Sequence, residues 1–144
     1  MKRSEIQAAI ADAKALLENN KIKLPMFGYW KLEEWKAHKA SLGTIRQTKL
    51  GWDVTDFGSD EFKKTGAVLF TIRNGILGKP EVGCPYAEKL IIIKDDQVLP
   101  LHFHHSKTED IINHLSEEKI RIVFVSKIVT GDQRKSQRKK HDLI

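Results

Sequence analysis

The ten residues Leu101-His102-Phe103-His104-His105-Ser106-Lys107-Thr108-Glu109-Asp110 gather side chains that could hold a metal ion. In a strand, residues two apart point to one face. His102 and His104 therefore present two imidazoles side by side, with Phe103 turned away. His105 points away from the pair unless the strand has already ended. Glu109 follows a short turn, and an adjacent strand can return its carboxylate to the same point. Two imidazoles and a carboxylate suit a borderline divalent ion such as Mn, Fe, Co or Zn. The two histidines alone are a weak pattern, and the glutamate at this spacing strengthens it. Cys84 is the single cysteine. It cannot form an internal disulfide, which agrees with a reducing compartment, and beside Pro85 it reads as structural rather than nucleophilic.

The elements that must position these groups are legible on both sides. Ser4-Glu5-Ile6-Gln7 has the form of a capping box and predicts a helix from residue 5. Ile6, Ala9, Ile10, Ala13, Leu16 and Leu17 recur at helical spacing until Asn19-Asn20 ends the run. Pro25 enforces an extended stretch, and Phe27, Tyr29 and Trp30 form an aromatic cluster. Leu32 to Lys39 predicts a short helix, with Trp35 packed on the first. Residues 43 to 66 read as loops with short elements. Ala67 to Ile72 predicts a strand closed by the turn Asn74-Gly75. Gly78, Pro80, Gly83 and Pro85 mark a loop. Lys89 to Ile93 predicts a second strand, turned by Asp95-Asp96, and Val98 to Phe103 a third. Asp110 to Leu115 is short and apolar on alternate positions, and Lys119 to Val125 predicts a further strand. Short strands with Gly/Pro turns point to a mostly β barrel or jelly roll with a helical N-terminal extension.

The chain has 144 residues and a net charge of +6. Six Lys/Arg against two Asp place +4 of that after residue 126, which leaves +2 for the rest. The high pI is thus mostly a property of the tail. Such a tail reads as solvated and disordered. Nucleic-acid binding through Arg134, Lys135, Arg138, Lys139 and Lys140 is disfavoured, because no aromatic residues are interleaved for base stacking. No run of 18 apolar residues is present, so no membrane span is expected. Glu5 and Asp12 interrupt what would have to be the apolar part of a signal peptide, and the expectation is a cytoplasmic protein.

The spacing His102-x-His104 followed by Glu109 resembles the first metal motif of cupins. A closer resemblance covers residues 1 to about 113. Leu50-Gly51-Trp52-Asp53-Val54-Thr55-Asp56-Phe57-Gly58, Leu69-Phe70-Thr71-Ile72-Arg73-Asn74-Gly75, Pro85-Tyr86-Ala87-Glu88-Lys89 and His102 through Asn113 resemble the D-lyxose isomerase family, as do the opening MKRSEI and the pair Tyr29-Trp30. The resemblance implies a cupin fold, a divalent metal, usually manganese, and interconversion of D-lyxose with D-xylulose. D-mannose to D-fructose is implied as a related reaction, so the expected partner is a pentose or hexose; a homodimer is left open. Carried over by position, His102, His104 and Glu109 match three of the four metal ligands. Lys107 matches a lysine at the sugar site, as a substrate contact and candidate acid/base. Glu88 is a second candidate sugar contact, although a salt-bridging surface role suits Glu88 and Lys89 as well. Arg73 and Trp52 read as a turn residue and a core aromatic.

The chemistry explains the set. Aldose–ketose isomerisation moves one proton between adjacent carbons and another between their oxygens. A cis-enediol route develops negative charge on those oxygens, which a divalent ion chelated by both would stabilise. A nearby acid/base must carry the carbon proton; Lys107, Glu109 and Glu88 are the candidates, and Glu109 is not free to act while it binds the metal.

The resemblance stops after Asn113. Ser116 stands where a cupin motif wants glycine, and neither His114 nor His141 has the Gly-x-Tyr-His setting of the family's fourth ligand. The expected organisation is a helical and loop extension over residues 1–66, an incomplete cupin-type jelly-roll barrel over 67–126 and a basic tail over 127–144. Out-of-frame translation after residue 114 is the favoured source of the tail; a shortened variant with a replacement strand built on Ile120, Ile122, Phe124 and Ile128 is the other. The function expected is therefore a metal-dependent isomerase. The alternative is a catalytically weak or inactive cupin remnant lacking the fourth ligand.

Overall fold

The computed structural model of the chain describes residues 1–39 and 42–101, together with the backbone of Asp110–His114 and Ile120–Ile128. Among these residues the order is helix α1 (Arg3–Asn19), a 3-10 turn (Met26–Gly28), α2 (Leu32–Ala37), α3 (Gly43–Gln47), and strands β1 (Gly51–Thr55), β2 (Ala67–Ile76), β3 (Lys79–Lys94), β4 (Asp110–His114) and β5 (Ile120–Ile128). A helical N-terminus thus precedes an antiparallel sheet of order β1-β2-β3-β5-β4.

Helix α1 starts two residues earlier than its sequence suggests, with Lys2 as N-cap. Lysine offers no acceptor for the first-turn amides. The interaction that remains is Glu5 reaching back to accept from the Lys2 amide at 2.6 Å, which leaves Ser4 inside the first turn. Ala13 and Leu17, one turn apart, carry the buried stripe onto the sheet. There they join Leu24, Val68, Phe70, Leu90 and Ile92 in one core cluster. Phe70 is fully buried, stacked on Phe27 at 5.4 Å and met edge-on by Trp52 at 4.9 Å. Trp52 packs as the core aromatic expected of it, and its indole donates to the Gly28 carbonyl at 2.8 Å. Gly28 cannot be larger, because a Cβ would stand 2.9 Å from the Phe70 ring. Trp35, expected against α1, meets Trp30 edge-on at 5.1 Å.

Four strand expectations need correction. Residues 51–55, read as part of a loop region, form β1 and pair along their length with β2. Asn74-Gly75 does not turn. Neither residue has the positive φ that a tight hairpin turn of this type demands, and Asn74 instead donates its side-chain amide to the Thr48 carbonyl at 2.9 Å. Gly75 serves close approach: a Cβ there would strike the Cys84 carbonyl. The turn falls at Leu77-Gly78, with Gly78 at φ +80°, so the expected loop over Gly78 to Pro85 is the first half of β3. After the Asp95-Asp96 turn, Val98 to Leu101 is not strand. Gln97 holds that segment down, accepting from the Lys94 amide and donating to the Phe62 carbonyl at 2.6 Å.

The segment after residue 113 contributes a strand to the same sheet. β5 pairs with β3 from Tyr86↔Ile128 to Lys94↔Ile120 without a break. It therefore reaches two residues into the stretch expected to be tail.

Candidate functional site

Four candidate site residues, His102, His104, Lys107 and Glu109, lie outside the described residues. The backbone on each side of them is placed. Leu101 precedes them with a fully exposed side chain, and β4 begins at Asp110, directly after Glu109. The register then connects this strand to the rest. Ile111 stands opposite Ser126, and Ser126 stands opposite Glu88. The start of β4 and Glu88 occupy one row of the sheet, two strand spacings or about 10 Å apart.

Glu88 is the candidate described in full. β3 pairs regularly with β5 from Tyr86 to Lys94, so Tyr86, Glu88, Leu90 and Ile92 share one face and Lys89 takes the other. Leu90 and Ile92 are the part of that face covered by the helical core. Beyond them the face is polar. The Glu88 carboxylate lies 3.4 Å from Arg73 Nη1, with side chains 19% and 54% exposed respectively. The same Nη1 donates to the Tyr86 hydroxyl at 3.0 Å. The salt-bridging role that the sequence allowed for Glu88 is thus occupied. Arg73, read as a turn residue, is a strand residue.

A bulge builds this cluster. β2 and β3 pair regularly up to Thr71↔Lys89 and resume at Arg73↔Glu88, so β2 carries one extra residue. The extra residue brings Arg73 onto the face of Tyr86 and Glu88, which is a known use of bulges. The Tyr86 hydrogen bond, and after it the Glu88 charge, push the Arg73 guanidinium further up from its ordinary value; it stays cationic at any physiological pH. The sequence signal for this cluster was available in Tyr86-x-Glu88, two polar groups at same-face spacing, but nothing local revealed that a bulge would deliver Arg73 to them.

Other features of the described residues do not compete for the role. No group of three His, Cys, Asp or Glu side chains among them could hold a metal ion. A cleft of about 840 Å³ runs between α1 and residues 60–64, lined by Ala9, Asp12, Leu16, Phe62 and Ile92 among others, and Glu88, the described candidate, is not among the described residues that line it. No helix among the described residues is long and apolar enough to cross a membrane.

An antiparallel sheet behind a helical N-terminus, carrying the His-x-His and glutamate spacing ahead of β4, defines a class that sequence comparison makes specific. Residues 1–141 match the sequence model of the D-lyxose isomerase family, and the chain belongs to that family. It is similar to the D-lyxose/D-mannose isomerase of Escherichia coli O157:H7, 42% identical over 115 residues, or 78% of this chain and 50% of the relative. It is also similar to the D-lyxose/D-mannose isomerase of Serratia proteamaculans, 37% identical over 114 residues, again 78% of this chain and 50% of the relative. The chain spans about half the length of these curated relatives. The family match runs on past residue 113, through β5.

Proposed function

We propose that the chain carries the metal-binding part of an aldose–ketose isomerase acting on D-lyxose and D-xylulose, with D-mannose and D-fructose as the related pair. The observation that supports this most strongly is family membership along residues 1–141, with the ligand-type spacing His102, His104 and Glu109 inside it. On this reading the fold is a cupin-type jelly roll, the location cytoplasmic, and the assembly a homodimer.

The donor set fits the metal. Two imidazoles and one carboxylate make a mixed nitrogen and oxygen site suited to manganese or a similar divalent ion. His102, His104 and Glu109 would hold it, with water or further side chains in the remaining positions. When bound, such an ion supplies Lewis-acid stabilisation of negative charge on two neighbouring sugar oxygens. Lys107, two residues before Glu109, is the proposed acid/base that carries the proton between the two sugar carbons. Glu88 lies on the row that reaches the start of β4, and is proposed to accept from a sugar hydroxyl.

The decisive assay is ketose formation from D-lyxose with added manganese. Turnover that is lost on chelation and restored by manganese is the expected result; no turnover with any divalent ion would sink the reading. Lys107→Met should lower kcat by roughly 100-fold or more while leaving metal content unchanged. Metal analysis of the wild type beside His104→Ala tests the ligand set, and equal metal content in the two would count against it.

A further inference from the structure

Two of the segments that carry the family resemblance meet in space at a point the metal motif does not explain. Arg73 comes from the first segment and Tyr86 and Glu88 from the second. They converge on one face of the sheet, through contacts of 3.0 and 3.4 Å from a single guanidinium nitrogen. As a stabilising device this is poor value. The pair is partly exposed, where ion pairs contribute little, and the bulge that assembles it interrupts the β2–β3 ladder.

As a binding device the arrangement makes sense. Tyr86 accepts from Arg73 and so keeps its own proton to donate. The described contacts of Arg73 use one nitrogen of a group with five N–H donors. Glu88 contacts Arg73 through Oε2, and its other oxygen is an acceptor. Donors and an acceptor therefore stand within a few ångströms of one another, which is what vicinal hydroxyls require. The Glu88 charge offsets the Arg73 charge, so the cluster favours a neutral polyol over a phosphorylated one. It also sits on the row leading to the start of β4, about 10 Å away, the scale of one sugar.

We infer that Arg73, Tyr86 and Glu88 form a hydroxyl clamp for the non-reacting end of an unphosphorylated aldose. The inference rests on the isomerase reading for the identity of the sugar, and adds Arg73 and Tyr86 as specificity-determining residues.

The test uses the full chain with manganese and compares wild type, Tyr86→Phe and Arg73→Lys. Tyr86→Phe keeps the ring and removes one hydroxyl, so the fold is retained; circular dichroism and the thermal midpoint check this. Direct titration with D-lyxose by calorimetry is the first readout, and the KM against kcat split the second. Loss of a hydrogen bond of this kind should weaken binding and raise KM roughly tenfold with kcat little changed. A deoxy-lyxose lacking the terminal hydroxyl should bind wild type more weakly than D-lyxose does, and Tyr86→Phe should no longer tell the two apart. Unchanged affinity and unchanged discrimination in both variants would overturn the clamp while leaving the isomerase reading intact. Tyr86-dependent sugar binding without turnover would support the clamp and remove the isomerase reading. A wild type that binds no sugar by calorimetry would overturn both.

Discussion

At the scale of single residues, Phe70 is where the helical segment and the sheet are joined. Its ring is fully buried, stacked on Phe27 and met by Trp52. Phe70→Ala should cost about 3–5 kcal/mol, since lost transfer energy and a residual cavity add; chemical denaturation measures it. The neighbouring indole hydrogen bond, Trp52 to the Gly28 carbonyl, is worth less. Trp52→Phe should cost about 1–2 kcal/mol, most of it from leaving that carbonyl unsatisfied. The packing of Trp52 on the core was readable from its residue type alone, although the strand that carries it was read as loop. The partner of Trp35 was not readable, because an aromatic on a six-residue helix has several partners within reach, and the one it meets, Trp30, is a loop residue whose direction no periodicity encodes.

At the scale of elements, the β2–β3 hairpin shows most clearly how sequence patterns succeed and fail. The strand cores Ala67 to Ile72 and Lys89 to Ile93 were plain, being β-branched or apolar runs. The turn was not. Asn-Gly is the usual signal for a tight hairpin, yet tertiary contacts claim both residues here. Thr48 takes the Asn74 amide and the Cys84 carbonyl takes the space beside Gly75. Gly75→Ala should therefore destabilise the hairpin sharply, because the atom in the way is backbone and cannot swing aside. The thermal midpoint should fall well beyond the change caused by Gly43→Ala, a position where an added Cβ meets nothing within 4 Å. Similar midpoints for the two variants would show that the hairpin does not depend on this close approach. At the other end of the chain, the capping expectation erred by two residues because Ser4 and Glu5 are both first-turn residues, and Glu5 found a nearer amide at Lys2.

At the scale of the whole molecule, the candidate site is legible in the sequence as a motif and as a family resemblance. Its surroundings are not, because register and bulges are set by pairing across the sheet. That Glu88 shares a row with the start of β4 follows from two strand pairings, neither of which is written in local sequence. If the motif holds a metal, binding is linked to stability. Manganese at about 100 times its dissociation constant should add about 2.7 kcal/mol. A scan with and without chelator should show that gain in wild type and none in His104→Ala. An equal gain in both would place any bound metal elsewhere.

The order of strands also has a consequence in time. β1, β2 and β3 follow one another in sequence and in the sheet, whereas β5 slots in between β3 and β4. Its pairing from Ile120 back to Lys94 spans a long stretch of chain, and distant pairings form late because loop closure precedes any reward. Assembly should begin with the β1–β3 meander closing on α1, leaving the β3 edge bare for a time. Pulse-labelled hydrogen exchange during refolding should find the amides of Val68 to Phe70 protected before those of Arg121 to Val125. Simultaneous protection would mean that the two parts of the sheet form as one unit. During the interval between them, the uncovered edge of β3 is a template to which another chain can add a strand, so the refolding yield should fall as protein concentration rises, even where the finished fold is stable.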